Sequence, residues 1–84
     1  MKIEFDPAKN EANLAKHGIS LVRASDLDML AVLPDGRFED EERFRAWGLI
    51  DGAYYCLAFT VRGKKVRAIS LRRAHKKEIA RYAP

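Results

Sequence analysis

An α+β fold is the class this sequence predicts, on three observations. A capped helical segment lies near the N-terminus, strand-like runs broken by tight-turn dipeptides fill the middle, and a second helical segment closes the chain. In that order the elements give a small antiparallel sheet, a meander, with two N-terminal helices and one C-terminal helix packed on it. Residues 1–84 read as a single domain, with no internal repeat, low-complexity linker or domain boundary.

The elements follow from local chemistry. Lys2-Ile3-Glu4-Phe5 alternates and predicts a short strand. Asp6-Pro7 sets an N-cap acceptor before a proline at the first helical position, so a helix is expected over 7–17, with Ala8, Ala12, Ala15 and Leu14 inward. Gly18 stops it, and Lys16 and His17 lie in the last turn, where cations suit the helix dipole. Ser20 caps a second helix expected near 21–30, with Leu21, Ala24 and Leu27 inward. A short strand over Ala31–Leu33 then meets the turn Pro34-Asp35-Gly36.

Residues 43–50 predict a strand ending at Asp51-Gly52, a strong hairpin signal. Residues 53–61 are apolar on both parities, as a central strand should be. Arg62-Gly63 offers another tight turn. The next strand, 65–71, is expected to set Val66, Ala68 and Ser70 on one face and Arg67, Ile69 and Leu71 on the other. A final helix over 72–82 places Ala74, Glu78 and Tyr82 in one row and His75, Ile79 and Ala83 in another. Trp47 and Phe59 are read as core.

Charge is divided unevenly. Residues 1–61 carry seven Lys/Arg against eleven Asp/Glu, a net of −4, whereas residues 62–84 carry nine against one, a net of +8. The C-terminal third is therefore a candidate surface for a polyanion. No apolar run approaches the ~20 residues that cross a bilayer, the start lacks the apolar core of a secretion signal, and Cys56 has no partner for an internal disulfide. A reducing cytoplasmic location and no membrane association are expected.

Several chemistries are excluded. Neither glycine-rich nucleotide loop is present, His17, His75 and Cys56 form no ligand cluster, and the acidic run Glu39–Glu42 reads as a solvated loop. What remains is a set of cations and titratable groups: Lys9, Lys16, His17, Arg67, Arg72, Arg73, Lys76, Lys77, Arg81 and Tyr82. That set suits RNA cleavage. The 2′-hydroxyl is a built-in nucleophile, so no metal or cofactor is needed if a base, an acid and fixed cations surround the phosphate. Histidine is the natural proton carrier and arginine the natural partner of phosphate oxygens. Each residue has a plainer reading as well. His17 suits a helix-end cation, Arg67 an ion pair, Arg72 and Arg73 snorkelling side chains, and Tyr82 a packing residue.

Phe5-Asp6-Pro7 with Lys9, Asn13 and Lys16-His17-Gly18-Ile19, then Glu42-Arg43-Phe44 with Gly48, then Arg67 to Ala74 with Glu78 and Tyr82, resembles the BrnT family of ribonuclease toxins. Leu21 and Phe5 depart from its usual aromatic and Trp, and the stretch 26–33 matches loosely. The resemblance implies a RelE-like fold, RNA as substrate and no cofactor. It also implies neutralisation by a ribbon-helix-helix, BrnA-like antitoxin, with operator DNA bound only through that complex. By position it carries Lys9, Lys16, His17, Arg67, Arg72, Arg73 and Tyr82 onto family motif positions. His17, Arg67, Arg72, Lys16 and Tyr82 are the catalytic candidates, and Lys9, Arg73, Lys76, Lys77 and Arg81 the RNA-binding ones. The alternative is a non-catalytic nucleic-acid-binding or protein-interaction module, an inactive descendant of such a toxin.

Overall fold

The computed structural model describes residues 3–36 and 42–82. In chain order these form β1 (Ile3–Glu4), α1 (Pro7–His17), a 3-10 helix (Leu21–Asp26), β2 (Asp28–Pro34), β3 (Arg43–Ile50), β4 (Ala53–Arg62), β5 (Lys65–Arg73) and α2 (Lys76–Tyr82). One sheet runs β1-β5-β4-β3-β2. Lys2, Ala83 and the acidic residues Glu39, Asp40 and Glu41, which the sequence reading used, lie outside the described residues.

Local signals place α1 and the first hairpin as expected. Asp6 Oδ1 accepts the Ala8 N–H at 2.8 Å, Pro7 opens the helix, and Gly18 closes it at φ 72° while donating to Leu14 O. Asp51 and Gly52 both adopt positive φ, 49° and 79°, the geometry whose twist matches a two-residue hairpin. The second turn falls on Gly63-Lys64, one residue later than the sequence suggests, because Arg62 still pairs with Lys65.

The sheet is mixed, not purely antiparallel. β2 to β5 form the antiparallel meander, and β1 adds on the far side of β5 in parallel, Ile3 opposite Val66 and Glu4 opposite Arg67. Beyond β1 the edge of β5 is filled by a side chain. Asn13 Oδ1 accepts from Leu71 N–H at 2.9 Å and Asn13 Nδ2 donates to Leu71 O at 2.8 Å and Ile19 O at 2.9 Å. The amide thus stands in for a strand. This overturns the expected inner face of α1: Asn13 is buried, whereas Leu14 is 51% exposed and Ala8, Ala12 and Ala15 face solvent. The helix meets backbone edge, not apolar surface, so polar residues turn inward. Asn10, one turn before Asn13, accepts from Leu21 N–H at 2.7 Å and Ser20 Oγ at 2.9 Å.

Three further expectations are corrected. The second helix is a single 3-10 segment, and residues 28–30 extend the strand expected over Ala31–Leu33 into β2, because pairing with β3 gives that backbone its hydrogen bonds and overrides helical propensity. β2 passes so close to β3 that a Cβ on Gly48 would lie 2.0 Å from Asp28 O. The C-terminal helix spans only 76–82, since Arg72 and Arg73 remain in β5 opposite Cys56 and Tyr55. Finally, a bulge in β5 at Ile69 breaks strict alternation, so Val66, Ala68 and Leu71 all reach the core.

That core lies on one face of the sheet. Ala46, Ile50, Leu57, Phe59, Val66, Ala68 and Leu71 pack against Leu21, Ala24 and Leu27. Leu21, Leu57 and Leu71 are fully buried, each worth about 1.5–3 kcal/mol. Phe44 and Phe59 stack across β3 and β4 with centroids 5.5 Å apart. The opposite face carries Arg43, Arg45, Trp47, Cys56, Thr60, Arg67 and Arg72, as the cross-strand register requires. Trp47 is therefore buried under α2, not in the main core: Tyr82 stacks on it with centroids 4.0 Å apart.

Candidate functional site

Along the β5 edge, α1 brings cations to the sheet. One hollow of about 210 Å³ is lined by Lys9, Asn13, Lys16, His17, Ile69 and Ser70. A neighbouring one, also about 210 Å³, is lined by Asp6, Lys9, Arg43, Thr60, Arg62, Arg67 and Ile69. Lys9 and Ile69 line both, so the two hollows are neighbours, one holding His17 and Lys16 and the other Arg67.

His17 occupies the last turn of α1, on the same side as Asn10 and Asn13. Its pKa is lowered below the ordinary 6.5, first by partial desolvation, then by repulsion from Lys16 and from Arg72. The imidazole is therefore neutral near pH 7, the form that accepts a proton.

Arg72 itself is committed. Its Nη1 donates to Glu78 Oε1 at 2.7 Å and to Arg73 O at 3.1 Å, and its Nη2 donates to Glu78 Oε2 at 3.0 Å. Glu78 also accepts from Trp47 Nε1 at 2.9 Å and from the His75 N–H at 2.8 Å. Because His75 precedes the first residue of α2, the last bond is half of a capping box. These donors hold the Glu78 carboxyl at a pKa of about 2, Arg72 being the largest cause. Beneath them Cys56 is buried, and desolvation pushes its thiol pKa up, against nucleophilic use.

The remaining sequence candidates divide. Lys77, Arg81 and Tyr82 line a separate hollow of about 420 Å³ with Arg45 and Asp35, at the α2 end of the outer face. Tyr82 packs on Trp47, its plainer reading. Arg73 projects to the other face, its guanidinium 5.5 Å from the Tyr55 ring centroid. Lys76 is exposed on α2. Arg67 pairs loosely with Glu4, at 4.0 Å.

Sequence reading missed Arg43, Thr60 and Arg62 as residues of the second hollow. The signal was present: counting back from the two-residue turns at 51–52 and 63–64 sets Arg43, Thr60 and Arg67 side by side across three strands. Setting the second turn one residue early hid that alignment.

Fold and hollows together define a small α+β protein with cationic hollows beside its sheet edge. The fold matches the crystal structure of the Brucella abortus ribonuclease toxin BrnT with a TM-score of 0.72 and 28% identity, over 90% of this chain and 99% of that one. Residues 5–78 match the family described as "Ribonuclease toxin, BrnT, of type II toxin-antitoxin system", and the chain belongs to that family. No curated protein matches it significantly. Among the described residues no helix is long and apolar enough to cross a membrane.

Proposed function

We propose that this protein is a metal-independent endoribonuclease of RelE-like fold, acting in the cytoplasm and held in check by a ribbon-helix-helix, BrnA-like antitoxin, with operator DNA bound only through that complex. The observation that carries the reading is His17, its pKa lowered by its surroundings, in a hollow that also holds Lys9 and Lys16, with Arg67 in the adjoining hollow that shares Lys9. His17 takes the proton of an RNA 2′-hydroxyl as that oxygen attacks the adjacent phosphorus. The bond to the 5′-oxygen breaks and that oxygen takes a proton from a solvent water, leaving a 2′,3′-cyclic phosphate and a 5′-hydroxyl. The Lys9 and Lys16 ammoniums and the Arg67 guanidinium hold the charge on the non-bridging oxygens. Desolvation first, then Lys16 and Arg72, disfavour the protonated His17, while Arg72 itself is engaged by Glu78.

The test is RNA incubated with the protein and excess chelator. Cleavage with a cyclic-phosphate end is expected, together with loss of most activity in His17→Ala. Cleavage that stops on metal removal defeats the scheme. Salt-sensitive binding without product would instead mark a non-catalytic nucleic-acid-binding module.

A further inference from the structure

The hollow of about 420 Å³ at the α2 end of the outer face takes no part in the proton transfer proposed for His17. Its volume lies within the roughly 300–1,000 Å³ of sites that hold small ligands. Leu33 and Pro34, at the end of β2, form an apolar side, and the stacked Trp47 and Tyr82 an aromatic one. Lys77 and Arg81, one helical turn apart on α2, supply charge. Both are exposed, and neither has an acidic partner among the described residues; the Arg81 guanidinium lies 5.7 Å from the Tyr82 ring centroid.

The acids that line this hollow are engaged already. Asp35 pairs with Arg45 at 3.4 Å, and the Glu78 oxygens accept from Arg72, Trp47 and the His75 N–H. A ligand therefore meets flat aromatic and apolar walls and two cations. Strand register fixes where this lies relative to His17. Arg45, Ala58 and Ser70 are cross-strand partners on β3, β4 and β5. Arg45 lines the α2 hollow and Ser70 the His17 hollow, so two strand spacings, about 10 Å, separate these lining residues. Ala58, between them, is half-buried and carries only a methyl group.

We infer, on the reading that this protein binds RNA at His17, that the α2 hollow is a nucleotide subsite. It takes a nucleotide further along the same strand, its base against Tyr82 and Pro34 and its phosphate at Lys77 and Arg81. Stacking on an aromatic wall tolerates any base, since every base has a π-face. With both lining carboxylates engaged, neither reads a base edge, so the subsite adds affinity and little sequence preference.

The experiment titrates the isotope-labelled protein with a 2′-O-methyl hexanucleotide, which cannot be cleaved, and follows it by NMR. Trp47 is the single tryptophan, so its indole N–H reports on the hollow without ambiguity. The hexanucleotide should shift the His17 and Ser70 signals together with those of the Trp47 indole, Lys77, Arg81 and Tyr82. The same backbone without bases should bind about tenfold more weakly and lose the Trp47 and Tyr82 shifts. Lys77→Gln and Arg81→Gln should each lower the salt slope of hexanucleotide binding by about 0.7. Thermal melts check folding, and if one variant fails, the other carries the comparison. Shifts confined to the His17 side, or salt slopes unchanged in the folded variants, overturn the subsite. Shifts confined to the α2 hollow defeat RNA binding at His17 and leave the subsite standing, and RNA that moves neither set overturns both.

Discussion

Replacing Glu78 with Gln tests how much of this fold depends on one carboxylate. Glu78 accepts two bonds from Arg72 and one each from Trp47 and the His75 N–H, so it ties α2 to β3, to β5 and to its own first turn. Its pKa falls from the ordinary 4.5 to about 2, and a shift of that size corresponds to ~3 kcal/mol of pH-dependent stability. Its side chain is 15% exposed and that of Arg72 21%, so solvent screening brings the expected value to about 2 kcal/mol. In a domain of this size that is roughly a 10 °C fall in Tm. The sign is fixed by the direction of the shift. A carboxylate with a depressed folded pKa stabilises above its unfolded pKa and loses that contribution as pH falls from about 4.5 towards 2. Denaturant melts of wild type and Glu78→Gln should therefore differ by about 2 kcal/mol at pH 7, with the gap narrowing between pH 4.5 and 3. A gap under about 0.5 kcal/mol at pH 7, or one that stays constant on acidification, would refute the assignment of this ion pair as the anchor of α2.

Three more outcomes are expected. The acid limb of kcat/KM should lie below pH 6.5, because desolvation, Lys16 and Arg72 all disfavour the His17 imidazolium, and Lys16→Gln should move that limb upward; a wild-type limb at or above 6.5 contradicts it. Gly48→Ala should cost about 3 kcal/mol or more, since its Cβ would press on the Asp28 carbonyl, a backbone group that cannot rotate aside; an unchanged melting curve would disprove that close approach. Asn13→Ala should cost about 2–4 kcal/mol by leaving the buried Leu71 N–H and C=O unpaired, with faster hydrogen exchange at the Leu71 amide; protection equal to wild type would show that another group fills the edge.

How much was legible beforehand depends on the range of each signal. α1 was placed to the residue because its cap, its proline and its stop glycine are all local. β3 and its hairpin were placed equally well, because Asp51-Gly52 fixes both the turn and the register that follows from it. The basic edge was visible as composition; Lys9, Lys16 and His17 line one hollow, and Arg67 lines a neighbouring one that shares Lys9. Residues 28–30 show where local reasoning ends: read as the end of a helix, they join the strand expected over Ala31–Leu33, because the open edge of β3 pairs with them.

The sequence by itself therefore determined the first helix, the central hairpin and the accumulation of positive charge, since each depends on neighbours within a few residues. Tertiary structure alone decided that β1 joins β5 in parallel, that Asn13 serves as a piece of strand, and that Arg72 is held by Glu78. These are choices of partner between groups far apart in the chain. A backbone edge or a guanidinium accepts whichever group the fold delivers, and no local pattern of residues encodes that delivery.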